Sequence, residues 1–502
     1  EYLKKHGMPR SPEDLDPHHI IVYGADARIS PPVSNVNWLL EAGANPIRPR
    51  RPVLEVNNVY GMYRAVKSGL GIAALPDYMS QEADNRGMQT QSYQDEYGAQ
   101  FKLIKDKLRL YPDLHFIRTT DAHHEKAAQA FWERCKKNIG PDGPDIYKKN
   151  YQIKYCVGCE LEKTDSELVD GRCSLHPNAE LELINEENYF FRFSRYQQPL
   201  LDLYAARPDF VVPDFRLNEV RLFVERGLQD FSISRLKEKM PWGIDVPGDP
   251  GHVMYVWFDA LVNYISTLGW PEDVQNFEKF WGTHDHPNAL QLGGKDNLRQ
   301  QSAMWQAMLM SAGLPSSKQI LIQGFITSGG QKMSKSLGNI INPLDLVEKY
   351  GTDAVRYVLL RHTSPFEDSD LTIEAIHDHY TAHLTNGLGN LVARVMKLAE
   401  TYNPAVNIFI QPAPSKVIDF KFNQALDEIW GEIKACDDLI TTKEPFKLVK
   451  TNPEEGKRVI SETINTLQKV AFMLQPFMPE TSKRIQTAIE ENKKPENLFP
   501  RL

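Results

Sequence analysis

The hydrophobic period of the chain changes along its length, and each change narrows the folds open to it. Residues 186–345 alternate short apolar, β-rich runs with stretches at helical spacing, which is the pattern of a layered α/β domain. Residues 369–502 keep helical spacing throughout. Phe422, Ala425, Leu426, Ile429, Trp430 and Ile433 fall at i, i+3, i+4 and i+7, and Ile460, Ile464, Leu467, Ala471 and Leu474 form a second stripe that Pro476 and Pro479 end. Two such stripes hide their apolar faces against each other, so an all-α bundle is expected. The N-terminal end is again α/β. Residues 20–23 and 53–56 read as strands, and 59–67 as a helix with Met62, Ala65 and Val66 on one face, stopping at Ser68-Gly69. Residues 71–75 read as a buried strand closed by Pro76-Asp77. Between these regions, residues 87–145 are expected to be mostly helical, with Phe101, Ile104 and Leu108 at helix spacing, and 150–180 are short, turn-rich and Cys-bearing.

The 502 residues leave room for about three domains of ~150 residues each. No run of eighteen apolar residues and no basic, apolar, small-residue leader is present, so neither a membrane span nor a signal peptide is expected, and a cytoplasmic protein is. The chain opens on Glu1 rather than methionine, as a piece of a longer frame would. A net charge of −8 argues against an indiscriminate nucleic-acid coat, and five cysteines do not make a disulfide framework.

The sharpest chemistry lies in residues 329–339, GGQKMSKSLGN. Lys332 and Lys335 sit three apart in a Gly/Ser-rich loop around Met333, Ser334 and Ser336. Two mobile ammonium groups there meet the charge that grows on the β- and γ-phosphates of a nucleotide as pyrophosphate departs. Upstream, a strand over 289–292 runs into Gly293-Gly294-Lys295-Asp296 and then a helix from Leu298 to about Gly313. That is the strand end where open α/β sheets bind nucleotides. Asp296 is either a ribose hydrogen-bond acceptor or a plain helix N-cap. Gln323-Gly324 is expected to close the same nucleotide site.

Residues 253–265, VMYVWFDALVNYI, give Asp259 as a cap, with Ala260 and Tyr264 on one face of the following helix and Trp257 beside them. This is either an aromatic floor for a thioether or ordinary core. Cys156-x2-Cys159-x13-Cys173-x2-His176 pairs four N/S ligands as a tetrahedral Zn²⁺ site does. Cys135 and Cys436 lie on helical stretches and read as small buried residues.

Two resemblances follow. Residues 1–15 (EYLKKHGMPRSPEDL) and 54–79 (LEVNNVYGMYRAVKSGLGIAALPDYM) resemble about half of the effector-binding domain of LysR-type regulators, an α/β fragment of periplasmic-binding-protein-like type spanning 1–82. The winged helix-turn-helix of that family is absent, so no DNA partner is expected. KMSKS is the signature loop of class I aminoacyl-tRNA synthetases. Residues ~87–502 closely resemble the methionyl-tRNA synthetases through that loop, 116–121 (FIRTTD), 187–196 (ENYFFRFSRY), 230–235 (DFSISR), 242–249 (WGIDVPGD) and 257–260 (WFDA).

The resemblance implies a Rossmann-type catalytic domain over 87–368, a zinc knuckle inserted at about 146–185, and a helical anticodon-binding domain over 369–502. It implies ATP with Mg²⁺ and methionine as substrates, tRNA(Met) as partner and no membrane. Lys332 and Lys335 become catalytic. Gly294, Lys295, Asp296, Gln323, Gly324, Met333, Ser334 and Ser336 become ATP-binding, and Trp257, Ala260, Tyr264, Asn297 and Gln301 methionine-binding. Asn390, Arg394 and Phe446 read the CAU anticodon, with a tryptophan common where Phe446 stands. The zinc is structural.

The family also carries a HIGH-type histidine pair in its first nucleotide-binding half, and a TGTDE-like acidic segment. Neither string occurs in the chain, and LysR-like sequence stands in their place, joined near 83–87. Gln301 and Gln323 stand where histidines are frequent; glutamine supplies comparable hydrogen bonds. The expectation is a methionine–tRNA ligase impaired by loss of the HIGH segment. The alternative is a catalytically dead tRNA-binding module, or a chimeric chain carrying a LysR-like ligand-binding fragment.

Overall fold

The computed structural model describes residues 15–23, 50, 54–56, 90–156, 161–162, 168–169, 172–173, 181–238, 240, 242–333, 339–405, 417 and 419–502. The chain divides into two compact units, one of residues 1–99, 136–192 and 230–259, the other of 100–135, 193–229 and 260–502. Among the described residues no helix is long and apolar enough to cross a membrane.

In the first unit, Ile21–Tyr23 and Leu54–Val56 pair in parallel, as their apolar runs predict. The helix over 59–67 and the strand over 71–75 lie outside the described residues. A long antiparallel ribbon joins Ile146–Cys156 to Glu182–Phe191, in register from Ile146↔Phe191 to Tyr155↔Glu182. Leu161–Glu162 extends it on one side and Phe231–Ser232 on the other. A second antiparallel sheet sets Asp249–Met254 between Ser234–Leu236 and Asp245–Val246.

The helical expectation for 87–145 holds over Thr90–Lys107 and Ala122–Lys137 and fails after Asn138, where Ile139–Gly140 pairs back on Gly143–Pro144. Pro141-Asp142 between them is turn chemistry that a helix cannot carry. Phe101 is 59% exposed, so the spacing of Phe101, Ile104 and Leu108 does not mark a buried face.

The second unit holds a parallel sheet with Gln319–Gln323 between Val211–Val212 and Leu290–Gly294. Ile320, Leu321 and Ile322 are all buried, as in a parallel strand covered on both faces. Leu290–Gly294 stands at the sheet edge among the described residues, with Gln291 buried and Leu290 and Leu292 exposed at 41% and 52%. The helix Ala122–Lys137 buries Phe131, Trp132 and Cys135, and Phe131 stacks on Trp305 at 5.4 Å.

The helices that follow are Pro343–Tyr350, Thr352–Arg361, a continuous run from Ile373 through the wider π turns Tyr380–Gly389 to Tyr402, Phe422–Lys443, Pro445–Thr451, Pro453–Leu474 and Pro479–Glu490. Four begin with proline, whose missing N–H costs nothing in a first turn. One core runs from Leu346 to Phe499 and takes in the expected stripes, including Ala425, Leu426, Ile429, Ile433, Ile460, Ile464, Leu467, Ala471 and Leu474. Each of the leucine and isoleucine side chains contributes ~1.5–3 kcal/mol by leaving water. Cys436 is buried in this core, as Cys135 is in its own. Arg356 fastens the C-terminal turn by donating to the carbonyls of Phe477 (2.7 Å), Pro476 (2.8 Å) and Leu108 (3.1 Å).

Candidate functional site

Parallel register sets Gly294 beside Gln323, so two strand ends open side by side. After Gly294 the chain makes a single 3-10 turn, Lys295–Asn297, before its helix. Gly294 is the residue that caps this turn, so Asp296 is not an N-cap; it lies exposed, its carboxylate 3.8 Å from Lys332. After Gln323, Gly324 passes against the backbone of Glu367 and Asp368, where a Cβ would sit 2.1 Å from the Glu367 carbonyl carbon. Gly324 is therefore required by packing, whatever it does for a ligand.

The chain next turns through a hairpin, Ile326–Ser328 against Gln331–Lys332. Its two-residue loop, Gly329-Gly330, has φ of +63° and +72°, the paired positive angles of a type I′ turn. Thus the glycines ahead of KMSKS form a defined turn that aims Lys332. A third strand, Ser369–Asp370, lies parallel to this hairpin. The Asp370 carboxylate accepts from the Gly330 amide and the Thr327 hydroxyl, both at 2.8 Å.

Asp368 accepts from Lys295 (2.6 Å) and from the Phe325 amide (2.9 Å), and the Lys295 ammonium holds its carboxyl below the ordinary range. The Lys295 and Lys332 ammonium groups lie 4.5 and 4.4 Å from the centre of the Phe325 ring. The site is thus a pair of cations about one aromatic ring, each beside an exposed carboxylate. Such exposed pairs are worth only ~0–1 kcal/mol, so an anionic ligand displaces them readily. Met333 is half-buried; Ser334, Lys335 and Ser336 lie outside the described residues.

Nearby, the helix Val256–Ser266 starts three residues before Asp259, which is buried in its first turn and is not its cap. The β-rich residues Val256 and Trp257 hide this start, because packing on the buried Phe258 outweighs their strand propensity. Phe258, Leu261, Val262 and Ile265 take the core face, and Trp257, Ala260 and Tyr264 share a half-buried stripe beside it. Gln301 donates to the Tyr264 hydroxyl at 2.5 Å and accepts from Gln291 at 3.2 Å. Ser317 donates to Gln291 and lies 3.0 Å from the Gln306 amide, which also reaches the Gln301 carbonyl at 3.1 Å.

This buried amide chain fixes Gln301 where the helix widens into the π turns Gln300–Met304. Burial raises the Tyr264 phenol above its ordinary value. Asn297 is half-buried on the turn above.

In the bundle, Asn390 is exposed and Arg394 half-buried one turn later, its guanidinium on Asp437 at 2.5 Å. Phe446, 43% exposed, lies on the separate helix Pro445–Thr451. Cys156 ends its strand opposite Leu161, and Cys173 ends Arg172–Cys173 opposite Leu168. These are hairpin positions suited to paired ligands. Their side chains, with Cys159 and His176, lie outside the described residues.

Sequence reasoning missed Phe325, Asp368 and Asp370, and the partners of Gln301. The acidic run 367–370 was visible, but only strand pairing over forty residues brings it to the lysines.

Comparisons with known proteins give three family matches. The family described as tRNA synthetases class I (M) matches residues 158–396, the anticodon binding domain of methionyl tRNA ligase residues 415–499, and the LysR substrate binding domain residues 1–140. The methionine–tRNA ligase of Thermosynechococcus vestitus is 38% identical over 427 residues, covering 80% of this chain and 78% of that protein. That of Nostoc sp. is 37% identical over 432 residues, with shares of 81% and 79%. The crystal structure of Mycobacterium tuberculosis methionyl-tRNA synthetase bound by methionyl-adenylate superposes with a TM-score of 0.70 at 32% identity, covering 84% of this chain and 88% of that one.

Proposed function

We propose a reaction for this chain on one premise: it belongs to the methionine–tRNA ligase family. A methionine carboxylate oxygen attacks the α-phosphorus of ATP, the bond to the bridging α–β oxygen breaks, and pyrophosphate leaves with its Mg²⁺. A ribose hydroxyl at the 3′ end of tRNA(Met) then attacks the methionyl carbonyl of the adenylate, the ester forms, the acyl–phosphate bond breaks and AMP leaves. The observation that carries this reading is the pair of strand ends at Gly294 and Gln323, faced by the hairpin that presents Lys332.

Lys332 and Lys335 neutralise the departing pyrophosphate. Gly294, Lys295, Asp296, Gln323, Gly324, Met333, Ser334 and Ser336 border the nucleotide. Trp257, Ala260, Tyr264, Asn297 and Gln301 bind methionine, with Gln301 and Tyr264 fixing each other by their hydrogen bond. Asn390, Arg394 and Phe446 read the anticodon, with Arg394 exchanging Asp437 for a base edge. A bound zinc ion would tie the knuckle together through Cys156, Cys159, Cys173 and His176. Three thiolates and an imidazole in this spacing, with Cys156 and Cys173 at strand ends, fit such a closed, structural site.

We assign residues 1–82 to the LysR-like fragment, 87–368 to the catalytic domain with the knuckle at about 146–185, and 369–502 to the anticodon domain, in a cytoplasmic protein. The LysR family match runs past this junction to residue 140. Adenylation by this chain is impaired. No HIGH-type pair occurs in its sequence, and the edge strand of the parallel sheet leaves Leu290 and Leu292 exposed. The second reading, a tRNA-binding module without catalysis, is favoured by the complete core of the bundle.

Binding of tRNA tests the part common to both readings. Without ATP, the chain binds a CAU-anticodon tRNA, Lys335→Ala leaves that affinity unchanged, and Arg394→Ala weakens it by ~1–3 kcal/mol, a lost base-edge contact. Equal affinity for tRNAs with altered anticodons would refute the assignment of the bundle.

A further inference from the structure

We propose that His362, His379 and His383 form a second metal site, for a late first-row divalent cation such as Zn²⁺, independent of the cysteine knuckle and of adenylation. One ring nitrogen from each histidine lies within 4.8 Å of the others, and this is the one such cluster among the described residues. The three come from two elements. His362 caps the C-terminus of Thr352–Arg361, while His379 closes Ile373–His379 and His383 follows one turn later in the π segment Tyr380–Gly389. Spacing of i, i+4 puts the last two on one helix face.

The surroundings suit ligation. All three rings are half-buried. The Tyr357 hydroxyl lies 2.8 Å from His383 Nδ1 and 3.1 Å from His362 Nε2. It holds one nitrogen of each of these two rings, as ligand-supporting groups do. The nearest cation, Arg361, donates to the same hydroxyl at 2.7 Å. Its charge is met by Asp427 at 2.9 Å and by the face of Trp430 at 4.5 Å.

Three neutral imidazoles suit zinc, nickel, cobalt or copper rather than magnesium or calcium, and leave one position for water. The His362 and His379 rings stack in parallel with centroids 3.5 Å apart. His383 is also near parallel to both, at 5.2 and 5.5 Å and 17° and 20°. An ion must lie in the plane of each ring that binds it, so metal binding opens this stack by rotation about χ2, a broad and soft torsion. Bound metal would staple the helix Thr352–Arg361 to the first long helix of the bundle.

Cobalt titration of the full, metal-free chain tests this. The unaltered chain is expected to take up one Co²⁺ that adds visible d–d absorption without thiolate-to-cobalt charge transfer. His379→Gln and His362→Gln lose that equivalent, while His377→Gln, on the same helix outside the cluster, retains it. Absence of such an equivalent from the unaltered chain, which needs no variant to fold, overturns the proposal. So does its persistence in His379→Gln.

Discussion

At Gly324 the chain has no room for even one carbon. A Cβ there would meet the Glu367 carbonyl oxygen at 2.2 Å and the Asp368 nitrogen at 2.6 Å, and both are backbone atoms that cannot swing aside. Gly324→Ala is therefore expected to cost ~1–3 kcal/mol, the range for overpacking, read as a lower midpoint in chemical unfolding. An unchanged midpoint would show that the Glu367–Asp368 turn yields.

His124 makes a prediction in pH. Its ring is fully buried, with Nδ1 2.9 Å from the Ser266 hydroxyl, and desolvation, with His123 adding to it, lowers its pKa from the ordinary 6.5 to about 4. Between those values the unfolded chain binds a proton that the folded chain does not, so folding stability rises with pH there and is lost as pH falls from about 6.5 towards 4. His124→Asn removes this contribution. The unfolding midpoint of the variant should fall less steeply over that window than that of the unaltered chain, and parallel curves would contradict the assignment. None of this was legible in the sequence. A histidine pair at the start of a helix gives no sign that Ser266, far along the chain, bonds to His124.

Among the elements, the hairpin Ile326–Ser328/Gln331–Lys332 presents Lys332, one of the two lysines proposed to act on pyrophosphate. The sequence shows a glycine pair before the lysines and suggests a mobile loop. Strand pairing makes those glycines a tight turn, and Asp370 clamps it from a strand forty residues on. Asp370→Ala removes the acceptor for the Gly330 amide and Thr327 hydroxyl, at ~1 kcal/mol for exposed bonds of this kind. Hydrogen exchange at Gly330 should then quicken about five- to tenfold, the factor that such an energy implies. Exchange at the original rate would mean that the hairpin holds without its clamp.

The bundle was the most legible element, because an apolar stripe at helical spacing has few ways to be buried other than against another helix. Ile464, Leu467, Ala471 and Leu474 all lie where their spacing puts them. Short strands were less legible. The run through Tyr255, Val256 and Trp257 has high β propensity, yet the helix begins within it, since propensity is outweighed by packing on the buried Phe258.

For the whole molecule, the family is written in motifs that survive any reading of the fold, while the question of activity turns on what those motifs lack around them. The parallel sheet ends in a strand with Leu290 and Leu292 open, and Tyr111, Leu114 and Phe116 in the same unit are also exposed. Parallel sheets are normally covered on both faces, and among the described residues nothing covers Leu290 and Leu292. The proposed impairment rests on the HIGH-type pair that does not occur in the sequence, beside the roles proposed for Lys332 and Lys335. Each lost transition-state contact of this kind costs ~10²–10³ in rate.

The direct measurement is methionine-dependent ATP–pyrophosphate exchange by the purified chain, with Lys335→Ala as control. The account predicts exchange indistinguishable from that control in a folded protein that still binds tRNA. Exchange well above it, abolished by Lys335→Ala, would mean that the N-terminal residues complete the nucleotide site, and would contradict the claim that this chain is impaired.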